Sequence, residues 1–228
     1  MTKRLAMVID LARCIGCQTC AIACKLENNV SLGLSWNRVF TIGGPTIDTP
    51  KWQYPDLSMY HITLACQHCE RPVCVQVCPT GATYQREDGL CLVDYDRCIG
   101  CRYCLASCPY STRTFNYREP QQIPDFPIGN PDVKPRKAGV VEKCTFCVHR
   151  VDKGILNPAC VEVCPARARF FGDLNDPESE VSRLIVERNG YQLLPEAGRI
   201  PKVYFLPPRS KGYSLQPRIR AMLTRWVL

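Results

Sequence analysis

The chain has 228 residues, including 17 cysteines, 19 prolines and 14 glycines, a composition that favours a loop-rich fold held together by disulfides or metal sites. It has no uncharged apolar run of about 18 residues, so no membrane span is expected, and the N-terminal stretch MTKRLAMVIDLARC does not read as a signal peptide. The formal charge of +8 counts every cysteine as neutral, whereas metal-bound cysteines are thiolates, and we therefore expect no nucleic-acid partner.

The regular secondary structure predicted from the sequence is short. Strands are predicted at VIDLA (8–12), SWNRVFTIG (35–43) and LVDYD (92–96), and helices of a single turn or little more at TCAIACKLEN (19–28) and YCLASC (103–108).

Beyond the last cysteine, PESEVSRLIVERN (177–189) predicts a helix that begins near Asp176 and carries Val181, Leu184 and Ile185 on one face. The tail RIRAMLTRWVL (218–228) is basic and amphipathic. It fits a contact with a membrane partner, or simple packing on its own domain or a neighbouring subunit, which is the interpretation we favour.

Sixteen of the cysteines fall into four groups of four. The first group has the spacing C-x2-C-x2-C-x3-C, and the third repeats it with a proline after the last cysteine, which is the run found in bacterial ferredoxins. The second group opens one gap to four residues, and the fourth opens the same gap to twelve. The groups are Cys14, Cys17, Cys20 and Cys24; Cys66, Cys69, Cys74 and Cys78; Cys98, Cys101, Cys104 and Cys108; and Cys144, Cys147, Cys160 and Cys164.

An internal repeat relates these groups in pairs. VIDLARCIGCQTCAIAC (8–24) aligns without gaps on LVDYDRCIGCRYCLASC (92–108), and VCVQVCPTGA (73–82) aligns on ACVEVCPARA (159–168). The third group therefore repeats the first, and the fourth repeats the second with a longer loop. The sequence predicts two tandem halves, each with one short-spaced and one looped group.

The spacing indicates iron-sulfur clusters. Three cysteines two residues apart can wrap one face of a cube, because tight turns at Gly16 and Gly100 direct the thiolates inward. The next cysteine lies about one helical turn further on and faces away, towards a second cube. Tetrahedral zinc takes two pairs of ligands, or three ligands and an open position. A zinc site therefore does not require three cysteines that face one metal centre and a fourth that faces another. The fourth group read alone is compatible with zinc, but its repeat partner favours iron.

Distance along the chain predicts which groups share cubes. Only twenty positions separate Cys78 from Cys98, so the second and third groups can form one local unit, and the first and fourth must pair across the chain. Four full ligand sets predict four [4Fe-4S] clusters and no three-iron cluster. The sites are cluster 1, Cys14, Cys17, Cys20 and Cys164; cluster 2, Cys24, Cys144, Cys147 and Cys160; cluster 3, Cys66, Cys69, Cys74 and Cys108; and cluster 4, Cys78, Cys98, Cys101 and Cys104.

Basic residues beside the ligands are candidates for counter-charge. An oxidised cluster with its four thiolates carries about −2, so four sites would bring the holo-protein close to neutral. Lys143, Arg13 and Arg97 each directly precede a ligand, and we expect them to offset the charge of reduced clusters.

Four other side chains near the ligands have a structural and a functional interpretation. Cys91 aligns with an apolar position of the repeat, so we expect a buried free thiol rather than a ligand. His68, between two ligands of the second group, is either a cluster contact or an ordinary loop histidine. His149 and Arg150 follow a ligand of the fourth group and are candidates for tuning that cluster.

The order of the groups, the looped run CTFCVHRVDKGILNPACVEVCP and the following FGDLNDPESEV together carry a family resemblance. They resemble the iron-sulfur electron-transfer (beta) subunit of the dimethyl sulfoxide reductase family of molybdopterin oxidoreductases, closest to the polysulfide, thiosulfate and tetrathionate reductase type. The resemblance covers about residues 5–206. It implies an α+β fold in which two bacterial-ferredoxin-like (2x[4Fe-4S]) modules interlock, with long loop insertions and a C-terminal extension.

The groups and the resemblance divide the chain into five predicted parts. Module A holds the first and fourth groups, and module B holds the second and third. The boundaries are 1–24 plus 139–171 for module A, 25–65 for a first insertion, 66–117 for module B, 118–138 for a proline-rich insertion loop, and 172–228 for a C-terminal extension that contacts other subunits.

The resemblance implies a non-catalytic subunit that relays electrons between an integral membrane quinone-reactive anchor subunit and a catalytic subunit carrying molybdopterin with molybdenum or tungsten. It also implies a sulfur compound as terminal substrate, and association with the membrane through partners, on the periplasmic face by co-export. Two alternatives remain open. One is a polyferredoxin carrier, or the electron-transfer subunit of a hydrogenase or formate dehydrogenase complex. The other is a structural zinc protein.

Overall fold

A computed structural model describes residues 2–46, 48–119 and 129–208. The proline-rich insertion loop is therefore described only at its two ends, and the basic tail at 218–228 lies outside the described residues. Within the described ranges, no helix combines the length and the apolar character needed to cross a bilayer.

The elements are short, and nearly all of them flank a cysteine group. The strands are β1 Leu5–Asp10, β2 Arg38–Ile42, β3 Tyr60–Leu64, β4 Thr83–Gln85, β5 Cys91–Val93, β6 Thr114–Phe115, β7 Val141–Glu142, β8 Arg169–Asp173 and β9 Val203–Leu206. The helices are α1 Thr19–Glu27, α2 Val73–Gln76, α3 Tyr103–Ala106, α4 Val148–Val151, α5 Ala159–Glu162 and α6 Glu180–Glu187, with a 3-10 turn at Pro195–Ala197.

Strand pairing follows the sequence repeat. β1 enters the first group and pairs antiparallel with β8, which leaves the fourth group. β5 enters the third group and pairs antiparallel with β4, which leaves the second. Asp10 N–H donates to Ala168 O, and Asp94 N–H donates to Ala82 O, each at 2.7 Å. The three predicted strands are confirmed, although β1 and β5 begin earlier than VIDLA and LVDYD, and β2 is shorter than SWNRVFTIG.

The helices show the same pairing of groups. α1 packs against α5, and α2 packs against α3. α1 has nine residues, so the prediction of a single turn or little more was too short there. Its C-terminal end is held by Lys25, whose Nζ donates to Ser31 O and Leu34 O, each at 2.8 Å.

The helix after the last cysteine is confirmed with a later start. α6 begins at Glu180, because the Asp176 carboxylate accepts the N–H of Glu178 at 2.9 Å and holds the preceding residues in a turn. Val181 is fully buried, and Leu184 and Ile185 pack with it against β1 and β9, as the apolar face predicted.

The described part of the C-terminal segment, 172–208, packs on both predicted modules. Its strand β9 runs parallel to β1. Lys202 N–H donates to Gln67 O at 2.8 Å, and Glu70 N–H donates to Ile200 O at 2.9 Å. This segment therefore ties the first-group sheet to the second-group loop, and the core between them includes buried ligand cysteines as well as aliphatic residues.

Candidate iron-sulfur sites

The two short-spaced loops share an unusual backbone. Gly16 and Gly100 have φ values of +71° and +70°, which glycine adopts at little cost. Gln18 and Arg102, two residues later, have φ values of 60° and 63°. A Cβ at Gly16 would lie 2.5 Å from the His61 ring, so the turn needs glycine for space as well as for conformation.

The residues predicted for cluster 1 line one cavity. The other walls come from β1, from the β2–β3 hairpin and from Arg169. Ala168 N–H donates to one of the four sulfurs at 3.3 Å, and Thr19 Oγ1 donates to another at 3.3 Å. The four cysteines are Cys14, Cys17, Cys20 and Cys164, and Cys17 is exposed at the rim.

The residues predicted for cluster 2 are all buried. Burial, and then Cys144, Cys160 and Cys147, raise the pKa of Cys24 well above its ordinary value. Asn28 Nδ2 lies 3.8 Å from both Cys24 Sγ and Cys147 Sγ. Cys24 therefore faces the fourth group.

The residues predicted for cluster 3 also converge. Burial raises the pKa of Cys69, and the next causes are Cys66 and Cys108. Burial likewise raises the pKa of Cys74, which also lies near Cys66. The last cysteine of the third group is therefore beside the second group.

Two of the residues predicted for cluster 4, one from each group, lie close together. Cys104 lies near Cys78, which contributes to its raised pKa after burial and Cys74. Arg97, directly before the third group, donates from Nη2 to Thr80 O at 2.7 Å. This bond joins the third-group loop to the segment that follows the second group, and Cys101 in that loop is exposed.

Burial favours the protonated form of the central thiols. It is the main cause that raises the pKa of Cys147 to about 11, and it also raises the pKa values of Cys144 and Cys160. Only thiolates bind iron, so cluster assembly would release protons from these residues. The cationic iron would supply the stabilisation that the protein alone does not.

Buried cations show that the sites fit an anionic cofactor. Four buried basic side chains form no ion pair with a carboxylate within the parts of the chain described. They are Arg113, Arg169, Lys143 and Lys202. A buried cation without a counter-charge is costly, and clusters that carry about −2 would supply that counter-charge. The donor set and the buried charge therefore both suit [4Fe-4S] clusters.

The described residues contain no compact group of ligands for a single metal ion. Across residues 2–46, 48–119 and 129–208, no three Cys, His, Asp or Glu side chains form a group that could hold one ion. A cube spreads its four thiolates further apart than tetrahedral zinc does.

Most of the basic residues expected to act on the clusters have other partners. Arg13 pairs with Asp10 at 3.5 Å, and Arg97 binds a backbone carbonyl. His149 and Arg150 both bind the Glu27 carboxylate at 2.7 Å. Carboxylates and carbonyls beside these loops therefore accept from all four side chains, and their influence on the clusters stays a prediction. Lys143 alone is fully buried, and it donates to the backbone carbonyls of Cys91 and Cys144.

His68 joins the second group to the fourth. Cys91 N–H donates to its Nδ1 at 3.1 Å, so Nε2 carries the proton and donates to Cys144 O at 3.0 Å. The ring stacks on Phe146 with centroids 3.8 Å apart. Burial first, and then nearby lysines, lower the pKa of His68 well below its usual value. It is a neutral, structural histidine and not a sulfur donor. Cys91 is buried, as expected.

Replacement of His68 by phenylalanine is expected to lower the free energy of unfolding by about 1–3 kcal/mol, because it keeps the ring but leaves the buried Cys91 N–H without an acceptor and leaves Cys144 O with Lys143 as its remaining donor. Chemical denaturation followed by cluster absorbance measures the change. His149→Phe is the matched control, since Glu27 keeps Arg150 as a partner. Equal losses in the two variants would show that the two hydrogen bonds of His68 do not matter.

Arg113 and Arg169 were not predicted from the sequence. Each lies five positions after the last cysteine of its group, Cys108 or Cys164. That shared offset is a usable signal, since the corresponding positions after the first and second groups are not basic.

Comparisons with known proteins agree with the site chemistry. A family described as a 4Fe-4S dicluster domain matches residues 57–122 and 129–174. The chain is 54% identical to a Halobacterium salinarum protein assigned as the iron-sulfur subunit of a dimethyl sulfoxide reductase, over 88% of this chain and 78% of that protein. It is 40% identical to the arsenate respiratory reductase iron-sulfur subunit of a Shewanella species, over 89% and 96%. It is 38% identical to a tetrathionate reductase subunit of Salmonella typhimurium, over 89% and 72%.

Proposed function

Because this chain belongs to the iron-sulfur subunits of the dimethyl sulfoxide reductase family, and is therefore an electron-transfer subunit and not a catalytic one, we propose that its sixteen grouped cysteines hold four [4Fe-4S] clusters in two interlocked modules. The clusters would have the ligand sets predicted from the sequence. Bound clusters supply one-electron redox chemistry, and the chain positions, shields and charges them.

The observation that carries this proposal is the exchange of the last cysteine between groups. Cys164 lies in the first-group cavity, and Cys24 lies among the fourth-group cysteines. Cys108 lies beside the second group, and Cys78 lies beside the third. Each predicted cube therefore has neighbours from two groups, which supports the interlocked arrangement.

Exposure and proximity support a linear order for the relay. Cys17 in the cluster 1 set and Cys101 in the cluster 4 set are exposed, whereas all four cysteines of the cluster 2 set are buried. Cys144 and Cys66 are close enough for Cys66 to raise the pKa of Cys144, after burial and nearer groups. Clusters 2 and 3 would then form the centre, and electrons would pass between clusters 1 and 4.

Each exposed end would meet one partner subunit. One partner would be the molybdopterin catalytic subunit and the other an integral membrane anchor that reacts with quinone. The relatives named for tetrathionate and thiosulfate reductase favour a sulfur compound as the substrate of the complex. We place the assembly at the membrane through its partners, on the periplasmic face.

The proposal predicts about sixteen irons per chain, from four irons in each of four clusters, in a complex purified without oxygen from the native source. Iron and zinc analysis and gel filtration measure the outcome. A single species near 25.8 kDa would favour a free-standing carrier. Zinc in place of iron, or about eight irons per chain, would overturn the four-cluster assignment.

A further inference from the structure

Arg169 and Arg113 are two buried guanidinium groups near the predicted clusters. They are 5% and 6% exposed, and among the described residues neither forms an ion pair with a carboxylate. Burial opposes the charged form of each most strongly, yet nearby cysteines outweigh it and raise the pKa of both above the ordinary value. Each side chain is therefore a fixed cation.

Each arginine lies between the two ligand sets of its own module. The cysteines around Arg169 belong to both cluster 1 and cluster 2, with Cys160 and Cys20 the strongest influences. The cysteines around Arg113 belong to both cluster 3 and cluster 4, with Cys74 and Cys104 the strongest. In each module the guanidinium is also close enough to lower the pKa of the third cysteine of the looped group, against the larger effect of burial.

A threonine hydroxyl holds each guanidinium in place. Arg169 Nη1 donates to Thr63 Oγ1 at 2.8 Å, and Arg113 Nη1 donates to Thr83 Oγ1 at 3.3 Å. Arg169 Nε and Arg113 Nη2 are buried with no partner in the protein. Buried N–H groups without acceptors are costly, and cluster sulfurs are the acceptors that the surroundings offer.

The repeat does not account for this placement. Arg113 follows the short-spaced group of module B, whereas Arg169 follows the looped group of module A. The repeat partner of Arg169 is Thr83, the residue that holds Arg113. The two modules therefore reach the same arrangement with arginines from non-equivalent positions, which argues for a shared role rather than inheritance from a duplicated half.

We propose that Arg169 and Arg113 each raise the reduction potentials of both clusters in their own module, by placing one fixed positive charge between two cubes that become more negative on reduction. The inference rests on the proposed four-cluster function. No bond forms or breaks; one electron, received from a partner subunit or a neighbouring cluster, takes a site from about −2 to about −3. Thr63 and Thr83 are positioning residues for the two guanidinium groups.

The test is a redox titration of the purified complex, followed by EPR. In Arg169→Gln we expect the equilibrium constant for reduction of two of the four clusters to fall by about tenfold or more, and tenfold is 59 mV for one electron. Arg113→Gln should move the other two midpoints and leave the first two in place. Each variant is thus the control for the other. Arg150→Gln, which removes a cation already paired with Glu27 and Glu162, should move none.

Three results would overturn the inference: no shift, an equal shift of all four midpoints, or a shift of one cluster alone. In Arg169→Lys, which keeps the positive charge, we expect the two midpoint potentials to stay close to those of the wild type. A shift as large as in the glutamine variant would show that charge is not the cause. If Arg169→Gln loses iron, Thr63→Val tests the proposal instead, because it removes the hydrogen bond that holds the guanidinium between the two cubes. We expect Thr63→Val to lower the same two midpoint potentials. No shift would refute the proposal. Wild-type complex with fewer than four clusters would refute the proposed function instead.

Discussion

Replacement of Cys24 by alanine is expected to abolish the cluster that Cys144→Ala abolishes, and to spare the cluster lost in Cys14→Ala. Cys24 belongs to the first group by sequence, but α1 turns it towards Asn28 and Cys147. A missing thiolate leaves one iron of a cube without its protein ligand. We expect the loss of one EPR signal, of up to about a quarter of the iron, and of nearly all electron transfer through the complex.

The reciprocal variant sharpens this expectation. Cys164→Ala should abolish the same signal as Cys14→Ala, because Cys164 lies in the cavity of the first group. Cys91→Ala is the matched control, since this cysteine is buried and its Sγ donates to Cys69 O at 3.5 Å, but it is not in any predicted ligand set. Comparison of low-temperature EPR spectra of the reduced complexes identifies the lost signals. If Cys24→Ala and Cys14→Ala remove the same signal, each group holds its own cube and the modules do not interlock.

Iron-ligand spacing made much of the site predictable from the sequence. The spacing requires a reversal after each first cysteine, and the positive φ of Gly16 and Gly100 supplies it. The gapless repeat correctly anticipated that β1 and β5 enter their groups in the same way. These features are local, or copied from one half to the other, and sequence pattern is informative for both.

The charges and cross-links were less predictable, because they depend on residues far apart in the chain. Arg13 and Arg97 directly precede ligands in the sequence. In the fold, however, Arg13 pairs with Asp10, and Arg97 donates to Thr80 O in the segment after the second group. Arg169 meets Thr63 across 106 positions, and His68 meets Cys144 across 76. Pairings of this kind follow from the folded arrangement of both halves, which no local pattern contains.

A buried carboxylate network lies close to the residues predicted to hold cluster 2. Glu142, one residue before Lys143, is fully buried. It accepts a hydrogen bond from Trp36 Nε1 at 2.9 Å and another from Asn116 Nδ2. The buried Arg136 lies 3.6 Å from the same carboxylate and stacks on the Trp36 ring at 4.5 Å. The network therefore connects the first insertion, the end of module B and the entry to the fourth group.

Arg136 extends this network to the ligands. Its Nη2 donates to the backbone carbonyl of Asn28, the residue whose side chain lies beside Cys24 Sγ and Cys147 Sγ. Burial raises the pKa of Glu142, and Arg136 is the largest of the influences that lower it. Loss of the Glu142 carboxylate would therefore leave Arg136 as a buried cation without a counter-charge, next to Asn28 and the predicted ligands of cluster 2.

Glu142→Ala is expected to lower the free energy of unfolding by about 3–5 kcal/mol, the usual cost of removing one partner of a buried ion pair, and Glu142→Gln by less, because the amide oxygen still accepts from Trp36. Denaturant titration of the complex, followed by cluster absorbance, measures both. Asp132→Ala, which removes an exposed ion pair with Lys153, should leave stability unchanged. Because Arg136 binds the backbone of Asn28, we expect the EPR signal of cluster 2 to disappear at a lower denaturant concentration than the signals of the other clusters. Simultaneous loss of all signals, with unchanged denaturation midpoints, would show that the network does not contribute to stability.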